Sequence, residues 1–385
     1  MRFRAPETVR RALGFGLFAA AGAWNAGNIG PVAGEISSSL GVSLASVGVL
    51  AGTVFFAGLV VAKLGAARLT SRIGADRAAR GACAAAIAGN VILALSPDYE
   101  GLAAGRMLVG IGLGLTLVLG PVLAREAGGV SLVGIFGGAV TLGVAAAIGC
   151  GSLLRSAGVD WRIDFAVAAA VALAALLLLP RVGEATVPSG SVLAVARRAL
   201  RRLPVWRLEL LFTTALGIPY LLGVWLVPYL ITDTGLSAEA AGVLGVAMYA
   251  LTAVLRPEGA QLDKHGRSTA ALGGISPIVA AAGLVVLALA DGAVVAALGI
   301  ALAGAGFAVP YATMYDEARQ LFPEARIAAV GLLSTGGNIL PLAAMPIVGA
   351  AIGGGHGELA LFALALVALG AGLANLKPAA PEPRA

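Results

Sequence analysis

Long apolar stretches alternate with short polar ones along nearly the whole chain. Twelve of them run over about 12–33, 44–64, 77–95, 101–124, 130–153, 162–180, 208–231, 238–256, 268–290, 293–316, 326–352 and 358–376. Most are about 18–25 residues long, the length at which a helix rising ~1.5 Å per residue crosses a ~30 Å hydrocarbon layer. The pattern therefore predicts an all-α polytopic membrane protein with twelve transmembrane helices. A membrane β-barrel would need ~10-residue segments that alternate apolar and polar and are rich in β-formers. Ala, Leu and Gly dominate instead, and small residues let membrane helices approach closely and slide past one another.

One polar segment is long, about residues 181–207, and it contains "GEATVPSGS". It divides the chain into a six-helix bundle at 1–180 and a second at 208–385, with itself as linker. The opening "MRFRAPETVRRALGFGLFAA" has the basic start of a signal sequence, but its apolar run continues past two asparagines. That predicts a retained first span.

Composition removes most other classes. At 59% hydrophobic and 12% charged residues, with a mean hydropathy of +0.94, the chain cannot clothe soluble domains in a polar surface. Of the 26 basic residues, 23 fall in segments on the side of the N-terminus and two, Arg155 and Arg162, on the other, while Arg106 lies within a span. The positive-inside rule then puts both termini and the 181–207 linker in the cytoplasm, with the chain in the cell membrane. The net charge of +6 records that topology and gives a nucleic-acid partner no support. Arg197, Arg198, Arg201 and Arg202 form a basic cluster able to touch anionic lipid head groups. Cys83 and Cys150 sit inside apolar runs with no His or Cys at ligand spacing, so no disulfide framework, metal site or cofactor is expected. His265 and His356 lie in loops on opposite sides, which leaves no clustered catalytic groups for an enzyme.

The two halves repeat each other. "GVSLASVGVL" (41–50) and "GLSAEAAGVL" (235–244) agree at five of ten positions with an offset of 194. "ARLTSRIGAD" (67–76) and "GAQLDKHGR" (259–267) share a Gly-and-basic pattern whose glycines, Gly74 and Gly266, are 192 residues apart. Two six-span halves in one orientation form a parallel repeat with its axis along the membrane normal.

These segments resemble the major facilitator superfamily. Its signature between spans 2 and 3 is matched by Gly259, Asp263, Lys264, Gly266 and Arg267, with Gln261 in place of the usual Leu. The first-half copy keeps Leu69, Arg72 and Gly74, but Ala67 stands for the first Gly and Ser71 for the Asp. "RMLVGIG" (106–112) resembles the family's fourth-span pattern and "DWRIDF" (160–165) the opening of its sixth. "IGPVAGEI" (29–36) and "LTSRIGADRA" (69–78) are similar to the cyanate and nitroimidazole branch. The antiporter Gly-Pro pattern is missing from "GGAVTLGVAAAIGCG" (137–151), which weighs against drug efflux. The resemblance implies two pseudo-symmetric bundles and alternating access by a secondary-active or facilitative transporter of a small neutral or anionic organic solute. A monomer in the lipid bilayer is expected. The alternatives are a proton-coupled drug or metabolite efflux pump and a transporter-like sensor without turnover.

Such a cavity would draw on polar and aromatic residues near mid-span. Asn25 and Asn28 lie i, i+3 beside Trp24 in the first span; Tyr220 follows Pro219, Tyr249 is mid-span, and Tyr311 follows Pro310 at a candidate kink. Ser334 and Asn338 lie i, i+4 in "STGGN". For each, packing or an interhelical hydrogen bond is the competing role. Arg106 is the charge most in need of a partner, because an intramembrane cation costs at least ~2.5–3.5 kcal/mol. It is assigned either to anion binding or to a structural contact. None of the 20 acidic residues is expected at mid-membrane, with Glu35, Asp316 and Glu317 at span ends, so no coupling proton is evident. By analogy with the superfamily, Asp263 is expected to latch onto the start of span 5 near Gly129 and Ser131. That contact would be worth ~0.3–1 kcal/mol, or ~2 when partly buried, and Ser71 cannot supply its counterpart.

Overall fold

The computed structural model describes residues 7–182, 197, 199, 201–264, 269–322 and 326–376; the side chains of 130, 257–264, 269–271, 312, 316, 319 and 326–330 lie outside the description. Regular structure among the described residues is helical throughout. The first helices are α1 (Glu7–Trp24), α2 (Ala33–Leu40), α3 (Leu44–Ile73), α4 (Ala75–Leu95), α5 (Tyr99–Gly129), α6 (Ser131–Ser156) and α7 (Arg162–Leu178). After the linker come α8 (Leu203–Thr232), α9 (Ala238–Lys264), α10 (Thr269–Ala288) and α11 (Ala293–Ala308). The last are α12 (Tyr311–Leu321), α13 (Arg326–Gly336), α14 (Ile339–Gly353) and α15 (Gly357–Asn375). Nine stretches among the described residues are long and apolar enough to cross a membrane. Many large apolar side chains are open to the outside, among them Val294 at 83%, Leu95 at 77% and Leu177 at 74%. A surface of that kind suits lipid, not water.

The helices break where local chemistry demands it. α1 stops at Trp24 before Gly27, and the chain restarts through a 3-10 turn, Gly30–Val32, with Pro31 near its start. The first apolar run is thus not one helix to residue 33, and the break leaves main-chain carbonyls without helical partners. α5 and α6 are one helical run apart from Gly128 and Gly129, and Gly129 has φ +69°, a conformation that suits glycine. α3 and α8 each contain a π turn, at Val49–Val54 and Thr213–Gly217. α13 and α14 separate at Gly337 and Asn338, and α11 and α12 at Val309 and Pro310.

Packing contacts define two ends of the bundle. At one, here the terminal end, Arg11 donates to the Ala127 carbonyl (2.5 Å), Arg80 to Leu179 (3.0 Å), Arg202 to Leu321 (3.1 Å) and Asn375 to Arg207 (3.0 Å). At the other, the far end, Arg155 donates to Pro31 (2.9 Å) and ion-pairs Glu35 (2.9 Å), and the Gly357 N–H donates to Asp233 (2.9 Å).

The apolar core follows this division. One buried cluster joins residues from both parts of the chain, including Ile29, Leu50 and Phe55 with Leu221, Trp225 and Met345. Two others belong to one part each. Phe15, Ala66, Leu119 and Leu179 are in a cluster confined to residues 15–179, and Val205, Phe212, Met314 and Phe322 in one confined to 199–333. The shared core lies towards the far end and the separate cores at the terminal end.

Candidate functional site

Across the seam at the far end, backbone meets backbone. A Cβ on Gly48 would lie 2.6 Å from the Met345 carbonyl oxygen, and one on Gly52 would lie 2.2 Å from the Met345 Cβ. The Thr53 hydroxyl donates to the Leu342 carbonyl at 2.9 Å, and the Trp225 indole, from α8, donates to Met345 at 3.0 Å. A second line of contact joins α6 to α9, where a Cβ on Gly242 would lie 2.4 Å from the Ser152 Cβ. Gly48 and Gly242 occupy the same position in the two repeated ten-residue segments. The repeat thus places a side-chain-free residue at each of the two seam crossings, α3 with α14 and α6 with α9.

Arg106 lies just behind this seam and is fully buried. Its Nη1 donates to the Asn25 carbonyl (2.9 Å) and to Asn28 Oδ1 (3.3 Å), its Nε to the Leu50 carbonyl (3.3 Å) and its Nη2 to Ala51 (3.5 Å). The guanidinium also lies 4.3 Å from the centre of the Phe55 ring. The break in α1 and the π turn of α3 supply the acceptors, so one cation ties two irregular backbones together. Its three guanidinium nitrogens are thus all occupied by protein oxygens. Asn25 and Asn28 are buried with it, and Asn25 also donates to Ala21 (3.2 Å). Trp24 turns away from the seam and packs with Ala147 and Ala168.

The other candidates fall along the seam between the far end and the terminal end. Tyr220 meets Phe56 edge-on at 5.3 Å. Tyr249 donates its hydroxyl to the Pro219 carbonyl. Tyr311 and Tyr315 pair at 5.0 Å, and Tyr315 meets Phe212 at 5.2 Å. Ser334 and Asn338 turn towards their own helix, with Asn338 donating to the Ser334 carbonyl (2.8 Å) and Ser334 to that of Gly331 (3.2 Å).

Four charged residues that sequence reasoning left out of the site belong near it or in the buried interior. Lys63 is within α3, and its ammonium donates across the seam to the Ser334 carbonyl at 3.4 Å. Arg256 is within α9, donates to Thr141 Oγ1 on α6 (2.5 Å) and lies 3.9 Å from the Tyr311 ring centre. Glu209 is within α8, its carboxylate so close to α13 that a Cβ on Gly336 would lie 2.0 Å from it. Asp164, in the first turn of α7, is fully buried with the Cys150 thiol as its neighbour. Asp164 and Glu209 both stand near the start of their helices. Lys63 and Arg256 stand at the last positions of the runs 44–64 and 238–256, where a basic residue is counted with the connection that follows. Asp164 carried a signal in "DWRIDF", a charge inside a run, that was read only as a family motif.

Of the gate motif, Ser71 and Arg72 are exposed at the end of α3, with Ser71 donating to the Arg68 carbonyl (2.9 Å), and Gly74 has φ +84°. Gly259 and Asp263 belong to α9, but the Asp263 side chain and residues Gly266 and Arg267 lie outside the described residues, and with them the expected latch. Among the described residues no group of three or more His, Cys, Asp or Glu could hold a metal ion, and Cys83 and Cys150 are free.

Residues 13–339 match the Major Facilitator Superfamily. The chain belongs to that superfamily. Its fold is similar to the crystal structure of a D-xylose-proton symporter, with a TM-score of 0.78 at 16% identity over 96% of this chain and 97% of that one. It is similar also to a bacterial homolog of the human lysosomal transporter Spinster, inward-facing and occupied, with a TM-score of 0.75 at 16% identity over 97% of each chain. The partially occluded, inward-open xylose transporter XylE from E. coli gives 0.72 at 16% identity, over 95% of this chain and 96% of that one. No curated protein matches. The match is to the superfamily as a whole and carries nothing about the cyanate and nitroimidazole branch. This transporter is a multi-pass membrane protein and not an enzyme.

Proposed function

We propose that the transporter moves a small organic solute by alternating access between two six-helix halves, 1–180 and 208–385, joined by the 181–207 linker. Twelve spans result when α1, α7 and α10 are added to the nine long apolar stretches. The division of the core carries the reading: one apolar cluster crosses the seam at the far end, and two separate clusters flank it at the terminal end. Bodies that share a core at one end only can exchange that closure for one at the other by rocking. The basic bias puts the terminal end in the cytoplasm, so the state described faces inward. Tyr220, Tyr249, Tyr311, Ser334 and Asn338 are positioned to meet a solute entering from there, while Trp24, Asn25, Asn28 and Arg106 hold the far-end frame.

A proton-coupled cycle is favoured over facilitated diffusion by two observations, the buried carboxylate of Asp164 and the membrane-embedded Glu209. Counterflow in proteoliposomes across a panel of sugars, carboxylates and amides, with and without a pH gradient, tests both readings. Saturable exchange of at least one solute is expected, with accumulation under the gradient that disappears in Asp164→Asn or Glu209→Gln. No flux for any solute from a folded protein would leave a sensor. For topology, a cysteine at Ser71 should resist an impermeant thiol reagent applied outside intact cells and one at Ser38 should react; the reverse would invert the orientation.

A further inference from the structure

We infer that Arg256 is the recognition residue for a carboxylate, and that the solute is a small monocarboxylate with a flat apolar body. This rests on the transport reading above and names the substrate class of its site. Arg256 and Arg106 are both cations among the spans, but they are used differently. Every nitrogen of the Arg106 guanidinium donates to an oxygen already in the protein. Arg256 uses only Nη1, on Thr141, while its Nε is buried with no hydrogen-bond partner. Among the described residues it forms no ion pair.

A half-buried guanidinium whose Nε is shut off from water without a partner is costly unless something occupies it for part of the cycle. The Nε–Nη2 edge presents two parallel N–H donors, the geometry that a carboxylate fills bidentately. Tyr311 holds the plane of the group from one face at 3.9 Å, leaving that edge as the site of recognition. The surroundings define the rest of the ligand. Tyr311, Tyr315 and Phe212 form a continuous aromatic wall, with ring centres 5.0 and 5.2 Å apart. Tyr220 and Phe56 make a second aromatic pair on the seam. Lys63 adds a further positive charge on the seam, and Glu209 the nearby negative one. A flat apolar body against the rings and a carboxylate on Arg256 satisfies both features.

Location also favours this residue. Arg256 is on α9, which continues to Lys264 at the terminal end, so the side chain is about 12 Å inward from that helix end at ~1.5 Å per residue. It bridges α6 through Thr141 and α12 through Tyr311, which belong to opposite parts of the chain. An anion that draws the guanidinium off Thr141 would alter a contact across the seam. Binding would thereby be linked to the rocking motion.

The test uses the purified full chain in detergent and reads ligand-induced thermal stabilisation. The probes are butyrate and benzoate, each paired with its neutral isostere, butyramide and benzamide. Benzoate is expected to stabilise the wild type saturably and benzamide not. Arg256→Gln should weaken benzoate binding roughly 10- to 100-fold, the range for a hydrogen bond to a charged group. Arg256→Lys, which keeps the charge but not the fork, should fall between. Equal binding of acid and amide, an Arg256→Gln protein that keeps its benzoate affinity, or no binding of either carboxylate to the wild type would each overturn the proposal. If Arg256→Gln fails to fold, the acid–amide contrast in the wild type and the Arg256→Lys value decide. Spin-label distances across the seam separate the two levels of the argument. If amides shift those distances and carboxylates do not, transport stands and carboxylate recognition falls; if no solute from the wider panel shifts them, the transport reading itself fails.

Discussion

The far and terminal ends of α3 are built from the same kinds of residue and packed in opposite ways. Gly48 and Gly52 leave no room for a methyl group against Met345, whereas Gly65, further along the same helix, has nothing within 4 Å of where its Cβ would stand. The partner helices repeat the contrast. A Cβ on Gly349 of α14 would lie 2.5 Å from the Leu44 carbonyl oxygen, while one on Gly331 of α13 would meet nothing within 4 Å. Gly65 stands on the outward stripe of α3 with Val61 and Leu64, so the close packing belongs to the face that meets α14. Small residues permit close approach where a helix face meets a partner.

Breaking the tight end should have the largest effect. Gly52→Leu places a side chain where Met345 and the Pro341 carbonyl already are, an overpacking worth ~1–3 kcal/mol or more. It should abolish solute exchange in a protein that still purifies as a monodisperse species, and lengthen distances across the far end. Arg106→Ala removes the cation that ties the α1 break to the α3 π turn and leaves several carbonyls unpaired. We expect a loss of roughly 3–5 kcal/mol in stability, with neutral and anionic solutes affected alike. Selective loss of anions would instead make Arg106 a binding residue. Thr53→Val deletes one hydrogen bond across the seam, worth ~0.5–1.5 kcal/mol, and should shift the conformational equilibrium several-fold towards far-end opening, read by spin-label distance distributions. Gly65→Ala is the control, on the same helix and without a neighbour to strike. Transport within about twofold of wild type is expected, and a defect as large as that of Gly52→Leu would erase the contrast.

Much of the architecture was legible from hydropathy and repetition, because lipid imposes length on each span and duplication imposes a common pattern on the halves. The repeat even contained the seam, since the second of the two glycines shared by "GVSLASVGVL" and "GLSAEAAGVL" is the residue at each crossing. Nothing in the sequence distinguished that glycine from the many others, as its role depends on a helix about 300 residues away in one case and about 90 in the other. The site was read less well, for two physical reasons. Polar side chains near a helix break serve the break first. Thus Arg106 and Asn28 satisfy α1, and Asn338 donates to its own helix. Charges near the end of an apolar run look like loop residues to an averaging window, although Lys63 and Arg256 lie in helices that continue past them to Ile73 and Lys264. The aromatic residues Tyr220, Tyr249 and Tyr311 were recognisable as candidates, but their neighbour Arg256 was counted only as a marker of topology.

The central claim is that the two ends of the seam are closed in alternation. Paired spin labels on a background of Cys83→Ser and Cys150→Ser test it directly, with Ser71 and Gln320 labelled at the terminal end and Ser38 and His356 at the far end, all exposed positions. Distances in lipid nanodiscs, compared between wild type and Gly52→Leu, should change in opposite senses: the far-end pair moves apart and the terminal-end pair comes together. Distances that stay fixed at both ends in the folded variant, or that lengthen at both, would contradict the account.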